Sequence, residues 1–444
     1  MMSQVRVRHP IELIKFFVFN SDWGLEEGNE HEKIIYYYSR ESATLDQKIA
    51  DISLAEAVKN FGDQFGDLAK SLQGDRTRFI FHKLSETIWS AMSITESYSV
   101  HKSNEDNCQI AEYHENEICD DFLKLKMQNI YQYFRLLNGP IEILCKTMKR
   151  EEFLEKCQDF FDNYVPHIEL LPYNLIELYS SIQYLPLNNQ TFMSVQSLLN
   201  CVQAIDNRIE YYIFLCNDQL VSSSLELYDT QILYNYLTNM IIPDVVKEEI
   251  NGISSKTRWI LIDFPIYLTH LKRFFSLCLF RSINGSTIGL ILSKHSESMI
   301  RECEALLSSR LISLTSKLHE IVAQISKQPD TKSDNDIQIK DVKFIYLNNS
   351  NFAQRGNLNC RKLIDSDFSR LIIDVESDLR QIFHDEEALE LIGKNMNDAW
   401  LVTRMSDSRS LFAMLNYKNA NVIEASETID AMKSKHFTNI FFGI

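Results

Sequence analysis

The chain has 444 residues, which predicts about three domains of roughly 150 residues each. Hydrophobic residues make up 45% and charged residues 24%, a globular composition that excludes a disordered or fibrous protein. The 61 acidic residues outnumber the 45 basic ones, and the resulting formal charge of −16 argues against a nucleic-acid partner.

The cysteines and the apolar segments predict a reduced, intracellular protein. The nine cysteines include no C-x-x-C spacing, so we expect free thiols that lie mostly in the core. Glu12 and Lys15 interrupt the apolar run near the N-terminus, so we predict no signal peptide. The most apolar stretch, residues 266–292, contains four basic residues, so we predict no membrane span and only peripheral attachment.

The first third of the chain begins with two strand patterns, at residues 11–20 and 33–38. Strict alternation in the second strand would place Lys33, Ile35 and Tyr37 on one face and put the intervening residues on the other. Further strands are predicted at 76–84 and 87–95, followed by a polar, acidic loop at 96–117 and two helices around Gly139-Pro140.

A helix is predicted between the second and third strands. Ser53 and Glu56 have the spacing of a capping box, so we expect the helix to begin there. Residues at helical spacing then predict one apolar face, made of Leu54, Ala57, Val58, Phe61, Phe65 and Leu68.

The same order of elements recurs twice. The second set has strands at 210–216 and 219–225 joined by Asn217-Asp218, then a helix, three strands and a long helix at 296–325. A polar segment at 327–336 is the best linker. The third set has a strand at 342–347, a helix at 367–383, a hairpin over 399–416 and a last helix at 420–435. The order predicts three similar α+β layers, each one sheet covered by helices; coincidence in a long α+β chain is the competing interpretation.

The sequence shows no catalytic or metal-binding motif. It lacks G-x-x-x-x-G-K-[ST], G-x-S-x-G and H-E-x-x-H, so we predict no cofactor, no metal and no enzymatic chemistry of its own. Lys433 and Lys435 are candidates for contact with anionic lipid headgroups, and a solvated face is the competing interpretation.

Seven short segments carry a resemblance to a known family. In chain order they are FFVFN at 16–20, EG at 27–28, EKIIYYY at 32–38, NDQLV at 217–221, ILYNYLT at 232–238, LNYKNAN at 415–421 and NIFF at 439–442. Together they resemble the Ccz (calcium-caffeine-zinc sensitivity) vacuolar fusion proteins. The chain departs from the family pattern at Ser222 and Ser224, where a Trp and a Gly are expected, and in a short linker before Val342.

This resemblance implies an α+β fold of three longin-like domains, each a mixed or antiparallel sheet covered by helices. On this basis residues 1–165, 206–328 and 329–444 are the three longin domains, and 166–205 are a helical connection. The resemblance also implies an obligate heterodimer with the Mon vacuolar fusion protein. Together the two proteins would form a guanine-nucleotide exchange factor for the late-endosomal Rab GTPase (Rab seven).

Further partners are implied by the same family. They are a third scaffold subunit in animals, the early-endosomal Rab (Rab five) and a membrane surface that contains phosphatidylinositol 3-phosphate. The expected location is the cytoplasm, with peripheral recruitment to endosomes and lysosomes.

In this family the first longin domains of the two partners form the GTPase platform. The candidate interface residues in this chain are therefore Lys33, Ile35, Tyr37, Glu56, Lys59 and Asn60. The competing interpretation is that Ile35 and Tyr37 only pack beneath the helix and that the others are solvated. Three other functions stay open: another triple-longin exchange complex such as the Hermansky–Pudlak heterodimer, a longin-type adaptor that only tethers, and an enzyme with a dispersed site.

Overall fold

The computed structural model describes most of the chain. The residues described are 7–65, 71–102, 109–114, 118, 120–168, 170, 179–251, 258–282, 284–326, 342–356, 371–372, 375, 388–394, 399–406, 408–415 and 421–436. They fall into two compact units, one of residues 1–173 with 369–378 and the other of residues 174–368 with 379–444. The predicted linker at 327–336 and most of the predicted helix at 367–383 lie outside the described residues.

The first unit contains a five-stranded antiparallel sheet with helices on both faces. Its strands and helices are β1 (Val7–His9), β2 (Leu13–Asn20), β3 (Ile34–Ser39), α1 (Leu45–Phe65), β4 (Ser71–Gln73), β5 (Thr77–Lys83), β6 (Ile88–Thr95), β7 (Ser97–Lys102), β8 (Gln109–His114), α2 (Asp120–Asn138), α3 (Ile141–Thr147) and α4 (Arg150–Tyr164). The sheet order is β3-β2-β6-β5-β4. Phe17 and Phe19 pack against α1, whereas Phe16 on the opposite face packs against Phe161 of α4.

The second unit contains two further five-stranded sheets of the same antiparallel type. The first has the order β10-β9-β13-β12-β11 and the second β15-β14-β18-β17-β16. The elements are α5 (Asn189–Gln203), β9 (Ile209–Cys216), β10 (Gln219–Ser223), α6 (Leu227–Tyr236), α7 (Ile242–Ile250), β11 (Arg258–Leu268), β12 (Arg273–Arg281), β13 (Ser286–Leu292), α8 (Glu297–Ser326), β14 (Val342–Asn348), β15 (Ala353–Gly356), β16 (Ala388–Lys394), β17 (Trp400–Ser406), β18 (Arg409–Leu415) and α9 (Val422–His436). A π-helical turn, Leu237–Ile241, joins α6 to α7.

Most predicted strands lie within a few residues of the observed ones. The β9–β10 turn is the predicted one, because Asn217 and Asp218 both adopt the positive φ values, 47° and 65°, that a two-residue hairpin needs. The predicted α+β architecture is confirmed: the described residues form three five-stranded antiparallel sheets, each with at least one helix packed on it.

The predicted loop at 96–117 is wrong, because it contains two strands. β7 and β8 pair with each other, and β1 pairs with β7, in a three-stranded sheet. Glu96 lies at the junction between β6 and β7 and is fully buried. Its Oε1 accepts hydrogen bonds from Arg78 Nε at 2.8 Å and Nη2 at 2.5 Å, so this buried charge is paired.

The predicted start of the first helix is also wrong. α1 begins at Leu45, eight residues before Ser53. Thr44 and Gln47 form the capping box, since Gln47 N–H donates to Thr44 Oγ1 at 3.3 Å and Thr44 N–H donates to Gln47 Oε1 at 2.9 Å. The sequence predicts two helices around Gly139-Pro140, but the structure has three. α2 precedes these two residues, and α3 and α4 follow them.

The predicted helical connection at 166–205 combines extended and helical structure. Residues 181–185 hydrogen-bond to an edge strand of each sheet in the second unit: Leu220 N–H donates to Gln183 O at 2.7 Å, and Gln354 N–H donates to Ile182 O at 2.9 Å. α5 follows and packs on the core of the β9–β13 sheet together with α8. The proposed domain edges at 165, 205 and 328 stay predictions.

Replacement of Thr44 by Ala is expected to destabilise the first turn of α1 by about 1 kcal/mol, because the Gln47 N–H loses the Thr44 Oγ1 acceptor. Ser53→Ala, within the exposed part of the helix, is expected to change stability by less than about 0.5 kcal/mol. Amide hydrogen exchange in residues 45–50 measures the difference. Equal protection in the two variants would contradict the observed start of the helix.

The free cysteines should differ in reactivity. Burial is the main cause that raises the pKa of the Cys303 thiol to about 11, and Glu302 adds to it, so this thiol stays protonated at pH 8. Cys201 is half-buried. We therefore expect iodoacetamide at pH 8 to modify Cys201 in the folded protein well before Cys303, as measured by mass spectrometry. Comparable rates at the two sites would contradict the burial of Cys303.

Candidate functional site

A β-bulge changes which side chains of β3 face α1. Tyr36 lies opposite Val18 and Ile34 opposite Phe19, so Ile35 is an extra residue in β3. As a result Ile34 and Tyr37 both pack on the core beneath α1. The predicted alternation, which put Ile34 on the face opposite Tyr37, is wrong for this reason. Ile35 itself is buried.

The Asp51 carboxylate of α1 joins the helix to two strands. Lys15 Nζ on β2 donates to Asp51 Oδ1 at 2.9 Å and Oδ2 at 2.7 Å. The Tyr37 hydroxyl on β3 donates to Asp51 Oδ2 at 2.5 Å. Burial, and next to it the hydrogen bond to Asp51, raises the pKa of Tyr37 far above its usual value, so Tyr37 stays a neutral donor.

Two contacts hold the Tyr37 ring in place. The ring stacks on Phe17 with 5.6 Å between centroids, and Lys48 Nζ of α1 lies 5.2 Å from the ring centroid. Tyr37 is therefore a structural contact between sheet and helix, which leaves little of it to reach another protein.

A second ion pair lies further along the same helix. Lys33 Nζ contacts Glu56 Oε2 at 2.7 Å, and both side chains are largely covered. The structure thus brings together two of the candidate interface residues, one from the turn before β3 and one from α1. Because Lys33 is paired and largely covered, it positions α1 against β3 and is not a free binding group.

Lys59 and Asn60 lie one turn beyond Glu56. Lys59 Nζ lies 5.4 Å from the centroid of the Trp89 ring and 3.4 Å from Ser21 Oγ. Asn60 is exposed. Glu56, Lys59 and Asn60 therefore lie along one stretch of α1. This stretch is next to the end of the sheet that contains Trp89 of β6 and Ser21, which directly follows β2.

An exposed apolar stripe on α1 was not predicted. The sequence pattern suggested that Leu54, Ala57 and Phe61 form part of one buried face, but Leu54 is 39% and Phe61 64% exposed. Ile52 and Ala55 pack on the sheet instead, with Val58 beside them. Ala50 and Ala57 are exposed, so the stripe consists of Ala50, Leu54, Ala57 and Phe61, spaced by four, three and four residues. The other two members of the predicted face, Phe65 and Leu68, have side chains outside the described residues.

The lipid-facing candidates lie near the end of the chain. Lys433 and Lys435 fall within α9, and their side chains lie outside the part of the chain that the structure describes. They stay candidates on sequence grounds alone.

Glu226, Asp229 and His270 form a group whose ligand atoms lie within 4.8 Å of one another. The buried Asp229 carboxylate already accepts hydrogen bonds from Thr269 N–H at 2.9 Å and His270 N–H at 3.3 Å, and contacts His270 Nδ1 at 2.6 Å. These bonds hold the β11–β12 turn on the start of α6, which explains the buried carboxylate without a metal.

Among the described residues, every helix is too short or too polar to cross a lipid bilayer.

Three family models match the chain in order. A model of the first longin domain of INTU, CCZ1 and HPS4 matches residues 13–139. Models of Intu longin-like domains 2 and 3 match residues 209–308 and 338–431. These matches agree with the three sheets described above.

Relatives align over almost the full length. The vacuolar fusion protein CCZ1 homolog of Nematostella vectensis is 30% identical over 97% of this chain and 98% of its own. The homolog of Xenopus laevis is 29% identical over 98% of both chains. That of Dictyostelium discoideum is 24% identical over 96% of this chain and 97% of its own. The resemblance found in the sequence is confirmed, and the chain belongs to the CCZ1 family of vacuolar fusion proteins.

Proposed function

We propose that this chain is one half of a heterodimeric guanine-nucleotide exchange factor that activates the late-endosomal Rab GTPase, Rab seven, with a Mon vacuolar fusion protein as its obligate partner. The observation that carries the proposal is the apolar stripe on α1, presented by the first longin domain of a CCZ1-family chain. In this proposal the chain performs no covalent chemistry, and its work is to bind and hold.

The stripe fits the partner interface. Ala50, Leu54, Ala57 and Phe61 follow the spacing of a helix face that packs on another surface. Obligate interfaces are more apolar than ordinary surfaces, and contiguous apolar patches on monomers are small. The two small alanines allow close approach, and Leu54 and Phe61 supply the apolar area. We assign the stripe to contact with the first longin domain of the Mon protein.

The polar residues beside the stripe fit the GTPase platform. Lys59 and Asn60 lie on the same helix, and Asn60 is exposed, so we assign these two residues the contact with the GTPase or with the partner at the platform edge. Glu56 is largely covered in its pair with Lys33 and orients this part of the helix. Lys33 and Tyr37 position α1 through Glu56 and Asp51, and Ile35 packs within the sheet.

The proposed mechanism is a population shift. An exchange factor that binds the nucleotide-free GTPase more tightly than the loaded form favours nucleotide release by that difference in affinity and by no more. It does so by holding the switch segments in a shape that no longer supports Mg²⁺ and phosphate. A rigid surface suffices for this, and the contacts of Asp51 and Glu56 supply rigidity to α1.

At the membrane, the complex would carry further contacts. We propose peripheral recruitment of the cytoplasmic complex to endosomes and lysosomes through the early-endosomal Rab and a phosphoinositide surface, with a third scaffold subunit in animals. Lys433 and Lys435 are this chain's candidates for the lipid surface.

The exchange assay tests the proposal directly. Rab seven loaded with fluorescent GDP is mixed with this chain, with its Mon partner, or with both. We expect accelerated release only with both proteins. A pair that forms but does not accelerate release would favour a tethering adaptor instead. Because one family model covers CCZ1 and HPS4 alike, acceleration only on a melanosome-type Rab would favour a Hermansky–Pudlak-type exchange complex.

Phe61→Asp is expected to weaken assembly with the Mon protein by at least about tenfold, because it places a charge in an apolar contact. Ile423→Asp is a matched control: Ile423 is similarly exposed, at 68%, but lies in α9. Size-exclusion chromatography and titration of the pair measure assembly, and circular dichroism checks folding. Equal affinity of the Phe61→Asp variant and the control, or a monodisperse chain that needs no partner, would contradict the assigned interface.

A further inference from the structure

A groove lies between α5 and α8 on the side away from their sheet. Cys201 near the end of α5 contacts Arg310, and the start of α5 shares the groove with Lys317, so the two helices run antiparallel. The groove is open to solvent and has a volume of about 650 Å³, and a second open hollow of about 380 Å³ continues it along α5 past Met193 and Ser197. Its floor is apolar, formed by the buried side chains of Leu198 and Leu314.

The charge of the groove is opposite to that of the chain. Arg310 and Lys317 line it together with three serines and a glutamine, and no carboxylate lines it, whereas the chain as a whole carries −16. Arg310 Nη1 donates a hydrogen bond to Cys201 Sγ at 3.4 Å. Within the described residues neither cation forms an ion pair. The two are seven residues apart on one helix, or about 10.5 Å along its axis.

The other wall of the groove has the composition of a protein interface. α5 contains no charged residue in its 15 positions, although charged residues make up 24% of the chain. Met193, which lines the groove, is 65% exposed, and Phe192, on the same helix but outside the lining, is 46% exposed. Interface cores are depleted of charge and enriched in aromatic residues, Met and Arg, so this wall resembles a surface that another protein covers.

We propose that the groove between α5 and α8 binds an amphipathic, acidic helix of another protein. The apolar side chains of that helix would lie on Met193 and over Leu198 and Leu314. Two carboxylates seven residues apart on it would pair with Arg310 and Lys317. A concave site with an apolar floor suits a helix, which is the common helix-in-groove mode of recognition. A membrane surface fits it less well, because an acidic chain offers only two cations there. This inference is independent of the proposed exchange activity.

The test uses designed helical probes and the full chain, alone or with its Mon partner. The first probe is a stapled 18-residue peptide with a leucine stripe flanked by two glutamates seven residues apart. Its twin has lysines in place of the glutamates. Fluorescence anisotropy measures binding to the wild type, to Arg310→Glu/Lys317→Glu, and to the control Lys294→Glu/Arg301→Glu. The control reverses the same amount of charge at the same spacing in sequence on two exposed residues outside the groove lining: Arg301 in the second turn of α8, and Lys294 three residues before the helix.

We expect the glutamate peptide to bind the groove variant about tenfold more weakly than the wild type, and the control about as tightly as the wild type. The lysine peptide should prefer the groove variant. Met193→Gln, which leaves the charge unchanged, should weaken the glutamate peptide severalfold. Circular dichroism verifies that each variant is folded.

Three results would overturn the proposal. One is equal binding of the two peptides to the wild type, and another is an equal loss of affinity in the groove variant and the control. The third is binding of vesicles of 70% phosphatidylcholine and 30% phosphatidylserine that depends on Arg310 and Lys317 while the peptide does not bind, which would make the groove a lipid site.

Discussion

The carboxylate of Asp51 determines which side of α1 faces solvent. It accepts hydrogen bonds from Lys15 of β2 and Tyr37 of β3, so a single residue connects the helix to two neighbouring strands. Glu56 repeats the arrangement five residues later through Lys33. Two such contacts along one helix fix its rotation about its own axis, and the stripe of Leu54 and Phe61 is turned outward as a consequence. The candidate interface therefore depends on polar contacts beneath the helix as much as on its apolar residues.

Elements whose signals are local were predictable from the sequence. The strands are runs of aromatic and β-branched residues bounded by turn residues. The β9–β10 hairpin is predictable from its two turn residues alone, Asn217 and Asp218. The phase of α1 was not predictable in this way. Apolar residues occur on more than one side of the helix, and the side that is buried is selected by Lys15 and Lys33, which are distant in sequence. The bulge at Ile35 likewise depends on the register with β2.

The polar, acidic composition of residues 96–117 is the reason why two strands there were not predicted. β7 and β8 follow the buried Glu96 in a segment rich in polar residues, which resembles a loop when burial and partners are unknown. The site shows the same limit. Sequence reasoning selected Lys33, Tyr37 and Glu56, yet it could not show that Lys33 pairs with Glu56 or that Tyr37 donates a hydrogen bond to Asp51. The groove between α5 and α8 is lined by two sets of residues more than a hundred positions apart in the sequence, so the sequence of neither helix alone predicts it.

The segment around Ser180 links the second and third sheets. Gln231 and Asn235 of α6 each donate a side-chain hydrogen bond to Ser180 O at 2.9 Å, and Tyr234 O–H donates to Asp218 O at 2.8 Å. Tyr234 and Asn235 belong to the ILYNYLT segment, and Gln231 directly precedes it. This segment therefore holds the connection between the two sheets in place. The same connecting segment hydrogen-bonds to β10 through Gln183 and Leu185 and to β15 through Ile182, so unfolding of either sheet releases one side of the segment that the other sheet binds. Heat or denaturant should thus melt the second and third domains as one cooperative block.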